Sequence, residues 1–149
     1  MGKVKAVNLA TSNNDALKCS KSIFVGIFFD GTNNNRNADY VHIKDNNKRK
    51  HSNIVRLYHT FPNKPSAGYF PIYIPGVGTA FPEINDTNKY IFTNKGSAFA
   101  EKGEHRILWG LIQLINAPWQ YLSKAKLISD KDAKTLVEIL AKAYLGKLL

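Results

Sequence analysis

Cysteine is almost absent from this chain. A single residue, Cys19, stands in 149, so no disulfide can form within the chain and no cysteine-rich zinc site exists. A lone thiol fits synthesis in a reducing compartment. Placed just before a strand-forming run, it reads first as a small packing residue and only second as a nucleophile. Long apolar runs are also missing. Nothing approaches the roughly 20 residues of a membrane span, and the opening M-G-K-V-K-A-V-N-L-A has no continuous h-region of a secretory signal. Cytoplasmic synthesis is therefore expected, with any export by a route that reads no cleavable leader. Acidic residues are few, 11 against 21 Lys and Arg, which leaves a net charge of +10. Nucleic acid, anionic lipid headgroups and a merely solvated basic surface all accommodate such a surplus. No nucleic-acid-reading motif accompanies the charge, so nucleic acid is the weakest of the three.

The familiar catalytic signatures are missing too. None of the eight serines has Gly two places before and after it, so there is no G-x-S-x-G nucleophile elbow. There is no G-x-x-x-x-G-K-[ST] phosphate loop. Pro75-Gly76-Val77-Gly78-Thr79 lacks the third glycine of a dinucleotide fingerprint. His42, His51, His59 and His105 fall at no H-E-x-x-H spacing, and each reads as a surface or capping residue. No catalytic nucleophile, metal set or cofactor is expected from this inventory.

What is present begins with Ile23–Asn34, I-F-V-G-I-F-F-D-G-T-N-N. An apolar strand that ends in a carboxylate, a glycine and a hydroxyl places chemistry at the carboxyl edge of an α/β sheet. Apolar residues at every position predict a strand covered on both faces, with Gly26 allowing a close approach. Residues 1–21 read as an irregular arm. Asp30–His51 reads as a long polar loop carrying the basic run Lys48-Arg49-Lys50-His51; loops of that length are usually functional or mobile. Ser52 or Asn53 caps a short helix over Ile54–Thr60, which Pro62 stops. Tyr69–Ile74 is a second strand, and Pro71 argues against its being fully paired. Ala80–Lys102 is a second long loop, whose aromatics are expected to pin it to the core. Glu104–Leu122 is a helix whose apolar face holds Ile107, Leu108, Leu111, Ile112, Leu114, Ile115 and Trp119, kinked or shortened by Pro118. A last helix follows Ser129, with its stripe at Ala133, Leu136, Val137, Leu140, Ala143 and Tyr144.

Phe28-Phe29-Asp30-Gly31-Thr32 matches the closing half of the haloacid-dehalogenase motif D-x-D-G-[TV]. Phe28 occupies the nucleophile position, and a phenyl ring cannot attack phosphorus, so that chemistry is excluded. Four segments taken together resemble another family: I-F-F-D-G-T-N-N (27–34), H-S-N-I-V-R-L-Y (51–58), Y-I-P-G-V-G-T (73–79) and G-E-H-R-I-L-W-G-L (103–111). Their order and spacing are similar to the amino-terminal part of the catalytic domain of type VI secretion phospholipase effectors, an α/β-hydrolase domain family. The resemblance implies a partial α/β-hydrolase-like sheet with flanking helices over residues 22–149, incomplete before the nucleophile elbow. It implies lipid-ester hydrolysis by Ser, Asp and His, a phospholipid or membrane partner, and delivery by a type VI system. None of the triad has a counterpart here, so the chain by itself is expected to be inactive. What carries over is the edge: Asp30, Gly31 and Thr32 as a candidate oxyanion-side turn, with Asn33, Asn34, Gly76, Gly78 and Thr79 lining the site. Asp30 either orients that turn through backbone hydrogen bonds or closes an Asx-type turn on Thr32 or Asn33. Two other readings stay open: a non-catalytic partner (immunity-like, adaptor or split-enzyme half, completed by another protein), and a basic nucleic-acid-binding protein.

Overall fold

The computed structural model describes residues 22–87 and 102–145, with side chains to residue 143. Strand β1 spans Phe24–Phe29, helix α1 Asn53–Thr60, strand β2 Tyr69–Ile74, helix α2 Gly103–Ser123 and helix α3 Asp130–Leu145. β1 and β2 pair in parallel, Phe24 opposite Tyr69 through Phe29 opposite Ile74. Parallel neighbours require a crossover, and α1 supplies it. Ser52 caps α1 by accepting the Val55 N–H at 3.2 Å, and Phe61 leaves the helix in an extended conformation just before Pro62.

Side chains alternate across a strand, and each face of this sheet has its own helix. Phe28 packs edge-on against Tyr58 of α1 and against Phe61 just beyond it, and Tyr58 also meets Tyr73. On the opposite face, a Cβ added to Gly110 of α2 would lie 2.9 Å from Ile74, 3.2 Å from Phe29 and 3.6 Å from Ile27. Gly110 is therefore where α2 crosses the sheet, and the missing side chain sets how close it comes. A helix thus lies on each face of β1, as its two-sided apolar character predicts, but the cover is partial: no β1 residue is fully buried, and Phe24 and Phe29 stay 48% and 44% exposed.

α3 packs on α2 and on the segment after β2. Ile74, Phe81, Ile84, Trp109, Ile112, Ala133 and Val137 form one buried cluster, and burying an aliphatic side chain of this size contributes about 1.5–3 kcal/mol. Asn116 fastens the α2–α3 connection: its amide donates to Ile128 O and accepts the Ile128 N–H, at 2.9 and 2.8 Å. Ser129 caps α3 by accepting the Asp132 N–H.

Several expectations change. The loop after β1 is partly ordered, with a π-type helical turn at Asn37–Val41 and a 3-10 turn at Asn46–Lys48. Pro118 does not shorten α2, which continues to Ser123. Of the apolar stripe expected on α2, only Ile112 and Leu108 turn to the core. His105, Arg106, Trp109, Gly110, Ile112, Asn116 and Ala117 are buried, whereas Ile107, Leu111, Leu114, Ile115 and Trp119 are 40–55% exposed. Pattern alone fails here because α2 is apolar on two sides, and polar groups of its buried side have specific partners. In α3, Ala133 and Val137 are buried as expected and so is Ala141, while Leu140 and Ala143 are exposed. Phe81 does pin its loop, at 4% exposure. Tyr90, Phe92, Phe99, the arm at 1–21 and the side chain of Tyr144 lie outside the described residues.

Candidate functional site at the carboxyl edge

Both strands end on the same edge, and their following turns interlock. Asp30 N–H still donates to Ile74 O at 2.9 Å, so Asp30 is the last residue the sheet holds. One carboxylate oxygen accepts its neighbour Gly31 N–H at 2.9 Å, and the other accepts the Tyr73 hydroxyl at 2.6 Å. The Tyr73 oxygen in turn accepts the Arg36 N–H at 2.8 Å. Burial, with the Asp30 hydrogen bond next, pushes the Tyr73 phenol's pKa well above its usual value, so it remains a donor. Asp30 thus ties its own turn to β2 and to the start of the next loop. Neither Thr32 nor Asn33 is its backbone partner.

The turn itself is closed by Asn34 N–H to Gly31 O, with Asn33 in the left-handed region at φ 65°. Two bonds cross to the second turn: Asn33 N–H to Val77 O and Gly76 N–H to Asn34 O, both 2.9 Å. A Cβ on Gly76 would overlap the Gly31 carbonyl, so only glycine lets the turns meet. Gly78, at φ 81°, turns the second segment back, and Thr79, buried, donates its hydroxyl to Gly76 O at 2.8 Å. Asp30, Gly31, Thr32, Asn33, Asn34, Gly76, Gly78 and Thr79 therefore form one continuous edge. Within it the Thr32 N–H makes no hydrogen bond among the described residues, and Thr32 is exposed.

Three organising residues escaped the sequence reading. Tyr73 is one. Asn35 is another: its amide donates to Ala80 O at 3.0 Å and to Thr79 Oγ1 at 3.3 Å, while its carbonyl oxygen receives the Asn37 N–H. The third is Arg106, buried in α2. Its guanidinium donates to Pro75 O, Thr79 O and Lys102 O and pairs with Asp86 at 2.9 Å. Arg106 thus holds both ends of the Pro75–Thr79 turn.

Outside the edge, Lys102 just before α2 and His105 of α2 face Glu138 of α3 at 3.1 and 3.5 Å. Burial first, then Lys102, lowers the His105 pKa. His51 and His59 flank Tyr40, and Arg36 reaches His59 at 3.4 Å. Partial desolvation, then Arg36 and His51, lowers the His59 pKa. Among the described residues no three His, Cys, Asp or Glu side chains are grouped to hold a metal ion, and no helix is long and apolar enough to cross a membrane.

No protein-family model matches this chain, and no curated protein does. Among solved structures it is similar to an uncharacterized protein from Pseudomonas aeruginosa, at 38% sequence identity and a TM-score of 0.63. The similarity takes in 79% of this chain and 15% of that one, so this chain spans a small part of its neighbour's length. The mixed α/β arrangement of this chain thus resembles part of a much longer protein.

Proposed function

We propose that this chain is the amino-terminal part of a phospholipase-effector-like serine hydrolase, and that its Asp30–Asn34 turn forms the oxyanion side of the site. The observation that carries this is the interlocked edge with the Thr32 N–H left open beside it. Backbone donors fixed in advance toward a developing negative charge are what acyl transfer requires. Asp30 is a positioning residue in this reading. It holds Gly31 N–H, and through Tyr73 it holds the second strand, so the turn presents Thr32 without reorganising. The nucleophile, its histidine base and the acid that orients it come from outside the described residues. Phospholipid is the substrate class by the four-segment resemblance, and type VI delivery belongs to the same reading.

The test has two arms. The chain by itself is assayed on short-chain acyl esters and on phospholipid vesicles, where no turnover is expected. A chimera in which this chain replaces the matching segment of the Pseudomonas protein is expected to hydrolyse acyl esters. Asp30→Ala in that chimera should lower kcat by about 100-fold with KM little changed, since misplacing a catalytic turn by about 1 Å costs that much. Turnover by the isolated chain that survives Asp30→Ala sinks the reading, and so does a folded chimera without hydrolysis. The split-enzyme or adaptor reading has its own support in the exposed apolar side of α2. It predicts binding to a completing protein whether or not hydrolysis follows.

A further inference from the structure

We infer that β1 is an interior strand in the working assembly. Its open edge receives a third strand, parallel to it, carried by a polypeptide that corresponds to the remainder of the longer Pseudomonas neighbour. The resulting order is β2-β1-β3. This goes beyond the hydrolase reading and is independent of whether esters are cleaved.

The backbone polarity of the two outer edges differs. Phe24 N–H donates to Gly68 O and Asp30 N–H to Ile74 O, so by the period of two Phe24, Gly26, Phe28 and Asp30 turn their polar groups toward β2. Val25, Ile27 and Phe29 therefore turn theirs outward, and β2 is the only strand that pairs with β1 among the described residues. The outward residues of β2 are Tyr69, Pro71 and Tyr73. Tyr69 is already taken, exchanging both backbone bonds with Lys64 at 3.1 and 3.3 Å. Pro71 has no N–H to offer, which is tolerated at a sheet's edge and costs a ladder bond inside it. β2 is thus closed as an edge strand at Tyr69 and Pro71, whereas no described residue pairs with the outward edge of β1.

Handedness gives the same answer. A crossover between parallel strands is right-handed in nearly all folds. The step from β1 to β2 carries α1 on one face, but α2 lies on the other. A right-handed connection that uses the second face must move back across β1, so the next parallel strand lands beside β1.

The side chains agree. Gln113, Ala117 and Gln120 of α2 lie with Phe70, Pro71 and Ile72, above β2. Gly110 lies over Ile27 and Phe29 of β1 as well as Ile74. Continuing round the helix in that sense, past β1, come Ile107, Leu111, Leu114 and Ile115, each 40–55% exposed. The side of α2 above the closed edge carries Gln113 and Gln120 around the buried Ala117, and the side that turns toward the open edge is apolar throughout. An apolar strand fits there, its backbone on Val25, Ile27 and Phe29 and its side chains under this stripe.

The probe is the Pseudomonas protein with its matching segment deleted, co-expressed with this full chain. A stable complex is expected. Leu111→Glu with Ile115→Glu, both at exposed positions, should weaken it at least 100-fold while circular dichroism stays unchanged. Gln120→Glu, on the β2 side, should leave it intact. Absence of a complex overturns the proposal, as does a complex lost only with Gln120→Glu. If light scattering finds a dimer of this chain alone that Leu111→Glu breaks, the face belongs to a second copy and the proposal is wrong. A complex without hydrolysis leaves the third strand standing and removes the hydrolase reading; hydrolysis by the isolated chain does the reverse.

Discussion

Gly76 and Arg106 are the two residues on which the edge depends, for opposite reasons. Gly76 matters for what it lacks. Its α-carbon lies so close to the Gly31 carbonyl that no side chain fits, and the obstacle is backbone, which cannot swing aside. Gly76→Ala should therefore cost at least about 3 kcal/mol, the upper part of the range for overpacking, seen as a lower urea midpoint. Gly103→Ala is the matched control. Its nearest neighbour is a Val77 methyl at 4.0 Å, and alanine in a helix should gain up to about 1 kcal/mol. Arg106 matters for what it holds. It is 3% exposed and satisfies the Pro75 and Thr79 carbonyls besides its pair with Asp86. Arg106→Met keeps the volume and removes every donor, so a loss of about 3–5 kcal/mol is expected in the same urea titration.

At the scale of elements, the α2–α3 contact should be sensitive to acid. Burial, then Lys102, lowers the His105 pKa from its ordinary 6.5, with Glu138 opposing. The folded state therefore binds that proton less readily than the unfolded chain. Its contribution is complete above pH 6.5 and is lost as pH falls below it. For Glu138, burial acts to raise the pKa, but Lys102 and His105 outweigh it and the net shift from 4.5 is downward. That contribution is present above pH 4.5 and is lost as pH falls further. Thermal melts between pH 7.5 and 3.5 should thus decline in two stages, and His105→Gln should shrink the first stage to the part that His59, whose pKa is also lowered, contributes, and keep the second. This contact was not legible in the sequence, because Lys102, His105 and Glu138 meet only through tertiary packing. The elements themselves were: the apolar run of β1, the Ser52 cap, the Pro62 stop and Pro71 as an edge marker all act locally and have their structural counterparts. The edge was readable as Asp-Gly-Thr and Gly-x-Gly-Thr turns, but Tyr73, Asn35 and Arg106 were not, since each acts across the gap between distant segments. The helix α2 misled because an apolar period reports which side avoids water, and two sides of this helix do.

The molecule as a whole carries more apolar surface than its own described residues cover. Ile107, Leu111, Leu114, Ile115, Trp119 and Leu122 stand exposed along one helix; contiguous patches of that kind on soluble proteins mark interaction surfaces or association hazards. The two tryptophans divide between the regimes, Trp109 at 6% exposure in the core and Trp119 at 47% on the outer side. Acrylamide should therefore quench a Trp109→Phe variant strongly and a Trp119→Phe variant weakly. An apolar dye such as ANS should bind the native chain, and its fluorescence should drop on Leu111→Gln with Ile115→Gln. Those substitutions remove apolar area that the fold does not bury, so the urea midpoint should move by no more than about 0.5 kcal/mol equivalent. Loss of dye binding together with loss of stability would instead mean that the stripe packs against the chain's own residues. Dye binding that vanishes while stability holds separates a surface kept for a partner from a core, and this distinction bears directly on whether β1 awaits a third strand.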